Sequence, residues 1–174
     1  MSAADRLRAL IRDVPDFPSP GVTFKDITPV LGDPAGLGDA VGLLLAAAPD
    51  CDLVAGIEAR GFILAAPVAS QLGVGFVPVR KPGKLPWQTI RREYELEYGV
   101  DAVEIHEDAI LKDQRVLVVD DVLATGGTAA ATCDLVEQVG GIVVGVAVLI
   151  ELAFLDGRAR LVGHHVDSVL RYEQ

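Results

Sequence analysis

Four consecutive apolar residues, Val116–Val119, run directly into two aspartates and a Thr-Gly-Gly-Thr loop, reading VLVVDDVLATGGT over Val116–Thr128. A short β-branched run without polar alternation is what a strand buried on both faces requires, and such strands belong to parallel sheets covered by helices. Asp120 and Asp121 are expected where this strand leaves the sheet. The loop Ala124, Thr125, Gly126, Gly127 and Thr128 then leads into a helix-like segment, Ala129–Val139. Backbone N–H groups of a Gly-rich turn and a helix N-terminus can wrap a phosphate. The two carboxylates can accept hydrogen bonds from vicinal sugar hydroxyls, and two buried neighbouring acids without such partners would be costly. The string therefore describes a site for a phosphorylated sugar, with Thr125 and Thr128 as flanking hydroxyl donors. No GxxxxGK[ST] and no GxGxxG occurs, so neither a P-loop nor a dinucleotide fingerprint is available. An Asp-capped turn would explain the acid pair alone but not the whole string.

The rest of the chain repeats the same rhythm. Leu53–Ile57 and Gly75–Val79 read as strands around a helix at Phe62–Leu72. Val116–Val119, Ala129–Val139 and Ile142–Ile150 repeat the unit, and a last strand is expected at His165–Leu170. The fold class is α/β: a mainly parallel sheet flanked by helices on both faces, joined by right-handed crossovers. Ligands bind such sheets beyond the carboxyl ends of the strands. Upstream, Leu7, Leu10, Ile11 and Val14 give an amphipathic helix stopping near Pro15, and a proline-rich extended segment follows over Asp16–Val30. Asp33 caps a second helix with Pro34 at its first position.

Four further segments fall at or near strand ends. GIEARGF (Gly56–Phe62) offers an acid and an arginine that could bind phosphate, read a base, or simply pair Glu58 with Arg60. Gly61 suggests a close approach of backbone to ligand. VRKPGKLP (Val79–Pro86) brackets a Pro-Gly turn with Arg80, Lys81 and Lys84, suited to a diphosphate, the alternative being a solvated basic loop. Over Ile90–Ile110, Tyr94, Leu96 and Tyr98 alternate with glutamates, and Val103 alternates with Ile105. That is a hairpin pattern, either a lid that closes over a reacting centre or a rigid flap used in subunit packing. In PGVTFKDITP (Pro20–Pro29), Phe24 could stack on a planar base or anchor the core.

One domain is expected for 174 residues, and 51% hydrophobic residues fit a packed core. A formal charge of −10 argues against a nucleic-acid partner. Cys51 and Cys133 form neither a metal-spaced cluster nor a disulfide framework. MSAADRLRALIRDV lacks a long apolar stretch, and no run approaches the roughly 18 residues that span a bilayer. A cytoplasmic protein without membrane contact is the expectation.

The Val116–Thr128 string resembles the PRPP-binding signature of the type I phosphoribosyltransferases (PRPP being 5-phosphoribosyl 1-diphosphate). FPSPGVTFKDITPVL, GIEARGF, VPVRKPGKLP, YELEYG and the late VLIEL extend the resemblance, along nearly the whole chain, to the adenine phosphoribosyltransferases. The PRPP loop is specific only to the superfamily, whereas EARGF, RKPGKLP and LEYG in this order point to the adenine enzymes. The resemblance implies a type I phosphoribosyltransferase-like sheet in a single domain, with a hairpin lid at about 82–110. It implies that Asp120, Asp121 and Ala124–Thr128 hold the ribose 5-phosphate part of PRPP. Arg80, Lys81 and Lys84 would face the diphosphate, with Arg60 at the base and diphosphate end. The backbone near Thr23 and Lys25, with Phe24 and Leu152, would form the adenine pocket. Glu97 and Tyr98 would close over the reaction. Glu58 stands where Asp is common in the family, which should preserve an acid–arginine pairing. Arg91 and Arg92 have no matched role.

The implied reaction joins adenine and PRPP to give AMP and diphosphate, with Mg²⁺ held by the diphosphate and ribose hydroxyls rather than by a protein cage. Glu97 is the candidate acid for adenine N7, a role that needs a raised pKa in a closed site. A homodimer is implied as well. Two other readings stand beside this one: a transferase for another base, and a PRPP- or nucleotide-sensing regulator that lost turnover. Diphosphate release measured base by base separates them.

Overall fold

In the computed structural model, which describes residues 1–95 and 99–174, five parallel strands form the central sheet. They are β3 (Leu53–Ile57), β4 (Gly75–Val79), β7 (Arg115–Leu123), β8 (Ile142–Leu152) and β9 (Val166–Tyr172), in the order β4-β3-β7-β8-β9. Chain direction across the sheet reverses between β3 and β7. This is a topological switch point, where a crevice opens beyond the strand ends.

Alternation along β7 explains its apolar run. Val116 and Val118 pack into the core on one face, Leu117 and Val119 into the core on the other. The first face is covered by α5 (Gly127–Gln138) and by an antiparallel hairpin of β5 (Thr89–Glu95) and β6 (Val100–His106). The second carries α1 (Ala3–Leu10), α2 (Thr28–Gly32), α3 (Pro34–Ala47) and α4 (Arg60–Leu72). Asp33 caps α3 as expected, its carboxylate accepting the Gly36 N–H at 2.6 Å, with Pro34 at the first position. No helix among the described residues is long and apolar enough to cross a membrane.

Two boundaries differ from expectation. The first helix ends at Leu10 rather than near Pro15, because Arg12–Val14 (β1) pairs with Phe24–Asp26 (β2) and takes the chain out of the helix. The proline-rich segment is thereby tied down at both ends. The acid pair does not follow β7 but lies within it. Pairing with β3 stops at Val119, while pairing with β8 continues through Asp120, Val122 and Leu123. One side of the strand is thus released to face the crevice while the other keeps the backbone fixed. The expected hairpin is present, and Val103 and Ile105 anchor it in the core.

Candidate active site

A cleft of ≈ 510 Å³ opens at the switch point, and a smaller one of ≈ 80 Å³ adjoins it through Asp120, Ala124 and Thr128. Thr125, Gly126 and Gly127 line the smaller one. Gly126 caps α5 at φ 82°, a conformation favouring glycine, and supplies no side chain to satisfy the first helical N–H groups. Those N–H groups, with the positive end of the helix dipole, suit an anion.

Asp120 and Asp121 point to different surroundings, as successive strand residues must. Asp121 is buried, with Arg60 Nε at 2.7 Å from its Oδ2, although no N–H aims at that oxygen. Asp120 Oδ1 accepts the Asp121 N–H at 2.8 Å. Burial raises both carboxyls above the ordinary range. The Asp121 charge raises Asp120 further, and Arg60 partly offsets the rise at Asp121. Gly61 does make a close approach, but to protein: a Cβ there would lie 2.7 Å from Asp120 Oδ1.

Of the readings open for Glu58 and Arg60, a pairing with each other is not the one made. Arg60 turns to Asp121 and stacks over the Phe24 ring at 4.8 Å. Glu58 instead gathers the basic loop, accepting from Lys84 Nζ at 2.6 Å, the Lys81 N–H at 2.7 Å and Arg80 Nε at 3.2 Å. Burial opposes ionisation of Glu58, but these three donors outweigh it and hold its pKa below the usual value. Acid–arginine pairing is thus kept, with Arg80 as the arginine. The Gly83 N–H is held by Glu104 at 3.1 Å. Lys81 lines the cleft, but its ammonium is bonded to Asp101 and, at 2.9 Å, to the Tyr94 hydroxyl.

Opposite the acids, Val22, Thr23, Phe24 and Lys25 line the cleft together with Leu152 and Leu155. The Lys25 ammonium pairs with Asp13 at 2.7 Å and lies over the Tyr172 ring at 4.3 Å. Val22, Phe24, Leu152 and Leu155 give this part of the cleft apolar walls. Thr128 Oγ1 donates to the Tyr94 hydroxyl at 3.0 Å. Glu97 and Tyr98 lie outside the described residues. Leu155, Tyr94 and Asp101 were not legible as site residues. Tyr94 and Asp101 come from a hairpin whose register sets their contacts, and Leu155 follows a strand whose length periodicity does not fix.

Residues 45–169 match the family described as phosphoribosyl transferase domain. The adenine phosphoribosyltransferase of Caldanaerobacter subterraneus is 53% identical over 97% of this chain and 98% of its own. The crystal structure of that enzyme from Thermoanaerobacter pseudethanolicus superposes with a TM-score of 0.95 at 53% identity, covering 97% of this chain and 99% of that one. The Saccharomyces cerevisiae enzyme, solved with adenine and an imino-altritol bisphosphate, gives a TM-score of 0.91 at 38% identity over 97% and 98% of the two chains.

Proposed function

The chain belongs to the adenine phosphoribosyltransferases, within the phosphoribosyl transferase family, and from that premise we propose how its residues act. The reaction transfers the phosphoribosyl group of PRPP to adenine, giving AMP and diphosphate, a step of purine salvage. One observation supports the residue assignment: two adjoining clefts, sharing Asp120, Ala124 and Thr128, bring the acid pair, the glycine-capped helix start and a slot walled by Phe24 and Leu152 together.

In this reading Ala124–Thr128 and the α5 N-terminus hold the 5-phosphate, and Asp120 and Asp121 accept from the ribose hydroxyls. Arg80, Lys81 and Lys84 offset the charge growing on the departing diphosphate. Adenine lies in the slot between Phe24 and Leu152, with backbone groups near Thr23 and Lys25 reading its edge, so that N9 faces C1′. Glu97 gives a proton to N7, and Tyr98 closes over the reacting atoms from the hairpin.

Mg²⁺ carried by PRPP fits this donor set. The buried Asp120–Asp121 pair, whose charge burial disfavours, would offer oxygens to the hydrated ion. The ion would screen the diphosphate charge as that group leaves. We also infer a cytoplasmic homodimer, its oligomeric state to be checked by light scattering of the purified protein.

The test is release of diphosphate from PRPP with adenine, hypoxanthine, guanine, xanthine and orotate in turn. Adenine alone should turn over rapidly; preference for another base would overturn the assignment. Glu97→Gln should lower kcat by about 10²-fold or more, as loss of a general acid does, with the KM for PRPP nearly unchanged. Equal losses in both would remove Glu97 from the acid role.

A further inference from the structure

We propose that Asp101 sets the affinity for PRPP by competing with its diphosphate for Lys81, and that Tyr94 passes the same competition to the Thr128 hydroxyl. The inference rests on the functional reading above and deepens it. Asp101 on β6 stands opposite Tyr94 on β5. Its Oδ2 receives the Lys81 ammonium and lies 3.1 Å from the Tyr94 hydroxyl. That hydroxyl lies 2.9 Å from Lys81 Nζ and 3.0 Å from Thr128 Oγ1.

Donor counting fixes the direction of this chain. An ionised carboxylate only accepts, so the single Tyr94 proton goes to Asp101. Thr128 must then donate its own proton to the Tyr94 oxygen, which turns it away from a phosphate. Lys81 gives one N–H to Asp101 and one to Tyr94, and its charge is already matched. Lys81 and Thr128 both line the cleft with the acid pair. A diphosphate reaching Lys81 therefore meets a carboxylate in place, and the two anions compete for one cation.

The fold does not need the charge at position 101. Its side chain is 32% exposed, and the hairpin is anchored by Val103 and Ile105. Asp101 Oδ1 accepts the Ala102 N–H at 2.8 Å, a bond that asparagine keeps. Replacing the other oxygen by an amide sets donor against donor at Lys81 and frees the ammonium for the cleft.

The measurement is calorimetric titration of PRPP and of ribose 5-phosphate, each with Mg²⁺ and without base, on the wild type, Asp101→Asn and Tyr94→Phe. Asp101→Asn should bind PRPP about tenfold more tightly, equivalent to about 1.4 kcal/mol, and ribose 5-phosphate by no more than about threefold, the share that reaches Thr128 through Tyr94. Tyr94→Phe, which frees Thr128, should tighten both ligands by about threefold. A merely structural role would only weaken binding. PRPP affinity that is unchanged or weaker in Asp101→Asn, or shifts in that variant that are equal for both ligands, overturns the proposal; Asp101→Ser carries the same expectation should the asparagine variant not fold. Wild-type protein that binds PRPP and makes AMP isolates such a failure to Asp101. Wild-type protein that does neither overturns the functional reading beneath it.

Discussion

Gly126 shows how tightly single residues are specified around the phosphate loop. Its φ is 82°, and a Cβ there would lie 2.3 Å from the Gly157 carbonyl oxygen. Gly157 in turn admits no side chain, since its own Cβ would lie 2.3 Å from the Ala124 oxygen. The two glycines interlock the loop after β7 with the turn after β8. Gly126→Ala adds left-handed strain to a backbone clash, so it should destabilise the protein by at least about 2 kcal/mol. For a domain of this size that is a fall of about 4–8 °C in the thermal midpoint, read by calorimetry, together with weaker PRPP binding. An unchanged midpoint would mean the turn yields easily. The same scale exposes the limit of reading neighbours in sequence. Glu58 and Arg60 are two residues apart, yet the start of α4 sends them to different partners, Glu58 to the loop after β4 and Arg60 to Asp121.

Among the elements, the segment from Leu152 to Arg160 connects both halves of the cleft. Leu152 and Leu155 wall the base slot, and Gly157 meets the phosphate loop. Glu151 holds the segment in place. It is 3% exposed and receives Arg158 through two hydrogen bonds of 2.6 and 2.7 Å, and Ser168 at 2.6 Å. Arg158→Met leaves that carboxylate buried with Ser168 as its main donor. Stability should fall by about 2–3 kcal/mol, less than for a fully buried pair because the Arg158 side chain is half-exposed, seen as an earlier urea midpoint. The KM for adenine should rise more than that for PRPP. A loss confined to stability would show that the pair braces the fold without shaping the base slot. The hairpin illustrates the opposite case: alternation in the sequence identified it, but only packing against α5 distinguishes an anchored element from a free one.

At the scale of the whole molecule, the carboxylates divide by sign. Asp52 is held down at about 2 by hydrogen bonds from Arg115, and Glu151 is lowered by Arg158. Their folded pKa values lie below the unfolded ones, so the stability they add is present above the ordinary values of 3.8 and 4.5 and is lost as pH falls through the folded values. Asp120 and Asp121 are raised by burial and act the other way, favouring the folded state in acid and losing that contribution as pH rises through their folded values. The thermal midpoint should therefore drop as pH falls from 4.5 towards about 2, and Asp52→Asn should flatten that slope. An equally steep profile in the variant would assign acid unfolding to other groups.

The order of strands and helices, the doubly buried β7 and the phosphate-loop string could all be read from the chain, because each depends on local periodicity and turn chemistry. So could the family, whose motifs are contiguous. The partners of the charges could not. Glu58 with Arg80 and Lys84, Arg60 with Asp121, and Lys81 with Asp101 and Tyr94 are settled by which strand ends meet at the switch point and by hairpin register. Electrostatic pairing acts across space, and spatial neighbours exist only once the sheet has ordered its strands.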